Sequence, residues 1–124
     1  MTLKQFGDLE AVVMEMVWST NEPQTVRSVH DMFAGTRQIA YTTVMSTMDN
    51  LYRKGWLTRE KVGLAYHYQP TMSREEHSAK LMRTVYESGG DGELILNFFL
   101  EQIGDDESSK IRKAFQNAPG GTQP

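Results

Sequence analysis

Thr42, Ser46, Asp49 and Arg53 recur at intervals of four, three and four residues, so on an α-helix two hydroxyls, a carboxylate and a guanidinium come out on one side. Groups of this kind form hydrogen bonds with base edges and phosphates when a helix lies in the major groove of DNA. In the same segment, Ala40 to Gly55, the residues Val44, Thr47, Met48 and Leu51 share the other side and give the helix a face to bury. Gly55 stops the helix, and Trp56-Leu57-Thr58 begins an extended run. An ordinary amphipathic surface helix has the same pattern, so its surroundings decide what the polar face is for.

Other chemistry is thinly represented. Glu75-Glu76-His77 groups acids with a histidine, but it lacks the two-histidine i, i+4 spacing of a hydrolytic zinc site and reads as helix-terminus acids beside a surface histidine. The three histidines, His30, His67 and His77, fall on a helix, a strand and another helix, and His30 suits the edge of a core. The chain has no cysteine, which excludes disulfides, zinc-thiolate and copper-thiolate sites and cysteine nucleophiles. No catalytic residue, metal ligand or cofactor is assigned, and an enzyme is not expected.

At 124 residues the chain suits one small domain with an appendage. Its net charge of -3 argues superficially against nucleic acid, but the distribution matters more than the total. Residues 1–72 sum to zero, residues 36–72 carry +3, and residues 73–124 carry -3. The basic excess therefore surrounds the polar-faced helix. No basic segment precedes an apolar run near the N-terminus, and Glu15 interrupts the apolar stretch Ala11 to Trp18 well short of a membrane span. A soluble, cytoplasmic protein without membrane insertion is expected.

The elements that would position the polar face follow from periodicity. Leu9, Val12, Val13, Met16 and Val17 mark a first helix from about Asp8 to Ser19, with Trp18 closing its packed end. Thr25 is a good N-cap for a second helix with Val26, Val29, His30 and Phe33 on one face, and Ala34-Gly35-Thr36-Arg37 turns the chain into the third. After Gly55 the period changes to two, through Leu57 to Val62, a turn at Gly63, and Ala65 to Pro70, which is a hairpin. Three short helices and a hairpin are the winged helix-turn-helix plan, in which the third helix enters the major groove and the hairpin flanks the backbone.

Beyond Pro70, Ser73 can cap a helix running to about Ser88 with Leu81 and Val85 among its apolar positions, and Gly89-Gly90-Asp91-Gly92 breaks it. The next helix is apolar almost all round, through Leu94, Ile95, Phe98, Phe99 and Ile103, and needs neighbours on more than one side. Gly104-Asp105-Asp106 opens a last helix with Ile111 and Phe115 inward. So short a helical stretch cannot close a core alone, and two copies packed together would complete it. The expected architecture is mainly α with a small β hairpin: a winged helix-turn-helix DNA-binding domain over 1–72, a helical dimerisation region over 73–117 and a disordered tail over 118–124.

The order Phe6-Gly7-Asp8-Leu9-Glu10, Val13-Met14, Trp18-Ser19, Thr25-Val26-Arg27-Ser28-Val29, Ala40-Tyr41-Thr42-Thr43-Val44, Lys54-Gly55 and Tyr66-His67-Tyr68-Gln69-Pro70 resembles the BlaI/MecI/CopY family of bacterial repressors over nearly the whole chain. The resemblance implies a dimeric winged-helix repressor on a dyad-symmetric operator of double-stranded DNA, in front of β-lactamase, antibiotic-resistance or copper-handling genes, with Thr42 and Thr43 facing the major groove. Ser46 would join them near base edges, and Arg53, Lys54, Arg59 and Lys61 would lie on phosphates. In the antibiotic-resistance branch a membrane sensor protease cuts an Asn-Phe bond in the dimerisation helix, and Asn97-Phe98 is the matching bond here. Two departures stand out. Asp49-Asn50 replaces the basic residues usual before the leucine of the recognition helix, and Gly63-Leu64 replaces the Gly-Arg of many wings. Asn50 can pair with adenine and Asp49 can accept from cytosine, and both equally suit a solvated surface. The competing readings are a winged-helix adaptor for protein contacts, which apolar residues on the recognition face would favour, and a ligand- or metal-responsive regulator released without proteolysis.

Overall fold

Helix α1 (Asp8–Trp18) begins where the Glu10 carboxylate reaches back 2.9 Å to accept from the Gly7 N–H. The computed structural model describes residues 5–117, and the expected tail over 118–124 lies outside them. Helix α2 (Val26–Met32) starts at a reciprocal cap, with Thr25 Oγ1 accepting from the Ser28 amide at 3.1 Å and Ser28 Oγ accepting from the Thr25 amide at 2.9 Å. Helix α3 (Tyr41–Arg53) is followed by an antiparallel hairpin of β1 (Leu57–Val62) and β2 (Ala65–Pro70). Val62 pairs with Ala65, so only Gly63 and Leu64 form the loop, and the Gly63 φ of 64° supplies the left-handed residue that opens a II′-type turn. The Gln24 and Tyr68 backbones exchange hydrogen bonds of 2.9 and 2.8 Å, which ties the loop before α2 to the hairpin.

The described chain falls into two compact units that divide after Lys80, inside helix α4 (Arg74–Ser88). In the first, Val13, Met14 and Val17 of α1 meet Val29 and Phe33 of α2, and Val44, Met48 and Leu51 of α3, with Leu57 and Tyr68 closing the hairpin side. Each such buried side chain contributes about 1.5–3 kcal/mol, which fixes the rotation of α3 and therefore which residues it shows to solvent. In α1 the buried face is Glu10, Val13, Met14 and Val17, while Leu9, Val12 and Met16 pack half-buried against its flank. The apolar stripe read from the sequence is thus rotated, because Met14 goes in and Glu10 is drawn in with it.

His77 corrects the sequence reading. Far from a surface position, it is 7% exposed, stacked on Phe6 with centroids 4.9 Å apart and flanked by Trp56 at 5.3 Å and Trp18 at 5.4 Å. Ser73 caps α4 through a 3.0 Å bond from the Glu76 amide, so Glu75 and Glu76 occupy the first turn and the next residue, His77, turns inward. Trp18 Nε1 donates 3.0 Å to the Met72 carbonyl and completes this aromatic wall.

The second unit holds the end of α4 and helix α5 (Gly92–Asn117), which Asp91 caps by accepting from the Glu93 and Leu94 amides. Gly104, at φ 81°, kinks α5 where the sequence places a helix boundary, and Ser108 Oγ donates 3.2 Å to the Leu100 carbonyl across the kink. Leu81, Val85, Ile95, Ile103 and Ile111 are half-buried, whereas Leu94, Phe98, Phe99 and Phe115 are exposed. No helix among the described residues is long and apolar enough to cross a membrane.

Candidate nucleic-acid interface

With Val44, Thr47, Met48 and Leu51 buried, Thr42, Ser46 and Arg53 stand on the outer face of α3, with Thr43 and Asn50 exposed on one flank. Thr47 is occupied internally, its Oγ1 donating 2.8 Å to the Thr43 carbonyl. The free hydroxyls of Thr42, Thr43 and Ser46 and the Asn50 amide therefore form a strip of short donors and acceptors along the helix. On the opposite flank Tyr41, Met45 and Tyr52 are exposed at 40%, 45% and 38%. Tyr41 meets the His30 ring edge-on and lies 5.6 Å from the Arg27 guanidinium, and His30 Nε2 is 2.8 Å from the Ile39 carbonyl.

The cations divide into paired and unpaired. Asp49 holds two arginines, with Arg53 Nε 3.0 Å from one carboxylate oxygen and Arg59 Nη1 3.0 Å from the other. Arg53 remains 74% exposed, but Arg59 is only 21% exposed and lies between two aromatic rings, 4.0 Å from the Tyr52 centroid and 4.1 Å from Tyr66. Lys54 Nζ donates 2.8 Å to Glu10 Oε2. Burial disfavours the charge on Glu10, yet the Lys54 hydrogen bond, the Gly7 amide and the Lys54 charge together outweigh it and hold the carboxyl below its ordinary value. Lys61, exposed on the same strand face as Arg59, and Arg37 in the turn before α3 make no ion pair among the described residues.

The fold brings Thr42, Thr43, Ser46, Asn50 and Arg53 onto one helix and carries Arg59 and Lys61 beside them on the wing. The sequence reading missed Glu10, Tyr52, Tyr66 and Tyr68. The i, i+2 spacing of Tyr66 and Tyr68 was the available signal, since it places both on the hairpin face that carries Arg59. Leu64, at the wing tip, is fully exposed. Among the described residues no group of three or more histidine and carboxylate side chains is placed to hold a metal ion.

Comparison with known proteins agrees with this geometry. The profile described as penicillinase repressor matches residues 6–117. The chain is 37% identical over 122 residues to proteins described as transcriptional regulator BlaI in two strains of Mycobacterium tuberculosis, CDC 1551 / Oshkosh and H37Rv, covering 96% of this chain and 88% of each relative. The solution structure of the DNA-binding domain of the repressor BlaI superposes with a TM-score of 0.52 at 23% identity, over 60% of this chain and 90% of that one, a likeness of fold. A winged helix with an outward strip of hydroxyls, matched by family and by relatives over almost its whole length, belongs to the penicillinase repressor family of BlaI type, whose members repress transcription by binding DNA and are not enzymes.

Proposed function

We propose that this chain works as a homodimer on a dyad-symmetric operator, each copy laying α3 in a major groove. The observation that carries this reading is the apolar surface of the second unit, where Leu94, Leu96, Phe98, Phe99 and Phe115 are 40–65% exposed on a chain whose first unit buries its own core well. Apolar residues crowded in one short unit mark an association surface, and a second copy supplies the same residues in return. Thr42, Thr43, Ser46 and Asn50 read base edges. Arg53, Lys54 and Lys61 hold phosphates, Lys54 exchanging Glu10 for its phosphate.

Light scattering after size exclusion tests the dimer, and fluorescence anisotropy on the region upstream of its own gene tests the operator. Twice the chain mass, with an inverted repeat bound far better than a half-site or a scrambled duplex, is expected. A strict monomer at micromolar concentration, or equal affinity for all three duplexes, overturns the reading.

The regulon we infer is of the antibiotic-response type, released by a membrane sensor protease at Asn97-Phe98. Both residues are exposed on α5 within the apolar segment. A cut there would divide the association surface and leave each head to hold DNA singly, without the effective concentration that linkage provides. Exposing the host to a β-lactam and blotting for a fragment ending at Asn97 tests it; an intact chain with derepressed target genes points to a ligand-driven release instead.

A further inference from the structure

Arg59 has the charge of a phosphate contact and the surroundings of a structural fastener. Its guanidinium lies 4.0 Å from the Tyr52 ring and 4.1 Å from the Tyr66 ring, and Nη1 is 3.0 Å from Asp49 Oδ1 and 3.4 Å from the Tyr68 hydroxyl. Asp49 and Tyr52 belong to α3, Tyr66 and Tyr68 to β2, and Arg59 itself to β1. One planar cation therefore touches every element of the reading head, and the two ring faces leave it 21% exposed. Turning it out to a phosphate would break both cation–π contacts and strip Asp49 of one of its two partners.

We propose that Arg59 is a positioning residue that sets the angle between wing and recognition helix, with Asp49 as its anchor, so that sequence preference depends on it without its touching DNA. The proposal deepens the reading that α3 lies in the groove. The hairpin otherwise meets α3 through Leu57 and Tyr68 at its base, and its outer residues Val62, Leu64 and Lys61 are exposed. Without a brace above that base the wing could swing about its root, and its contacts would no longer fix the register of the helix.

The test measures anisotropy on the upstream duplex and on a scrambled duplex at four salt concentrations, for wild type, Arg59→Met, Arg59→Lys, Tyr52→Leu and Lys61→Met. A lost phosphate contact lowers affinity for both duplexes alike and flattens log K against log salt by about 0.9, which is the behaviour expected of Lys61→Met. Positioning makes Arg59→Met lose about tenfold on the upstream duplex only, with the salt slope unchanged. Arg59→Lys then fails to rescue, because an ammonium lacks the planar fork that fits two rings and a carboxylate. Tyr52→Leu, which keeps every charge, shows the same loss. The proposal is overturned if Arg59→Met flattens the slope and weakens both duplexes equally, or if Arg59→Lys restores wild-type affinity. Thermal melts identify any variant that fails to fold, in which case Tyr52→Leu alone decides by its preference for the upstream duplex. If wild type itself shows no such preference, the groove reading fails before this one is reached.

Discussion

Replacing His77 by leucine should stabilise the first unit, and increasingly so in mild acid. The imidazole is 7% exposed, and its Nε2 is buried without a hydrogen-bond partner among the described residues. An unpaired buried polar nitrogen costs about 1–3 kcal/mol, while stacking on an aromatic ring returns about 0.5–1.5 kcal/mol. Leucine removes both terms and fills similar space, so a net gain of about 1 kcal/mol is expected at neutral pH, or about 4–8 °C in Tm for a unit of this size. Burial pushes the His77 pKa below its ordinary 6.5. Between those two values the unfolded chain binds a proton that the folded chain refuses, so wild-type stability is full above pH 6.5 and falls as pH drops toward the folded value. The leucine variant should lack that slope. Urea melts at several pH values between 5 and 8, followed by tryptophan fluorescence, measure it directly, because Trp18 and Trp56 both lie against the ring. His30 and His67 titrate in both proteins and cancel in the difference. A variant less stable than wild type at every pH, with the same slope, would refute the argument and show that the imidazole is held favourably.

Glu10→Gln should destabilise by about 1 kcal/mol by removing the charge that Lys54 meets; since the folded carboxyl titrates below its ordinary value, the wild-type advantage is full above the unfolded pKa and disappears as pH falls through the folded one, which chemical denaturation at pH 3–7 will show. Phe98→Asp should shift the dimer toward monomer by at least tenfold in Kd while leaving the first unit's melting unchanged, as read by light scattering and circular dichroism. Ser46→Ala should weaken the preferred duplex about tenfold with little effect on a scrambled one, a loss of preference that anisotropy detects.

Elements were legible where period and caps agreed. The alternation from Leu57 to Pro70 and the Gly63 turn placed the hairpin, and Thr25 and Ser73 marked helix starts because their hydroxyls satisfy amides that have no partner within the helix. The outward strip of α3 was equally legible, since Val44, Met48 and Leu51 leave one rotation that buries them all. What the sequence hid were contacts between residues far apart in it. His77 looked like a surface residue beside two glutamates because its partners Phe6, Trp18 and Trp56 come from three other segments. Asp49 looked like a base reader or a solvated acid because Arg59, ten residues on, reaches it only after the hairpin folds back onto α3.

That folding-back changes how the interface's charge must be counted. The excess of +3 over residues 36–72 suggests an electrostatic grip, but Asp49 holds Arg53 and Arg59, and Glu10, from outside that span, holds Lys54. Arg53 can reach a phosphate while keeping one side on Asp49, and Lys54 only by releasing Glu10. A head that offers Arg53, Lys54 and Lys61 gives six phosphate contacts in a dimer, and so a salt slope of roughly −5; if Lys54 stays on Glu10 the slope falls to roughly −4. Were Arg59 a fourth contact in each head, the slope would be roughly −7. Anisotropy on the upstream duplex across salt concentrations separates these cases. A value near −7 would return Arg59 to the backbone and remove its role as a brace, whereas a shallow slope would mean that base reading and the coupling of two heads, more than bulk charge, hold this acidic repressor on its site.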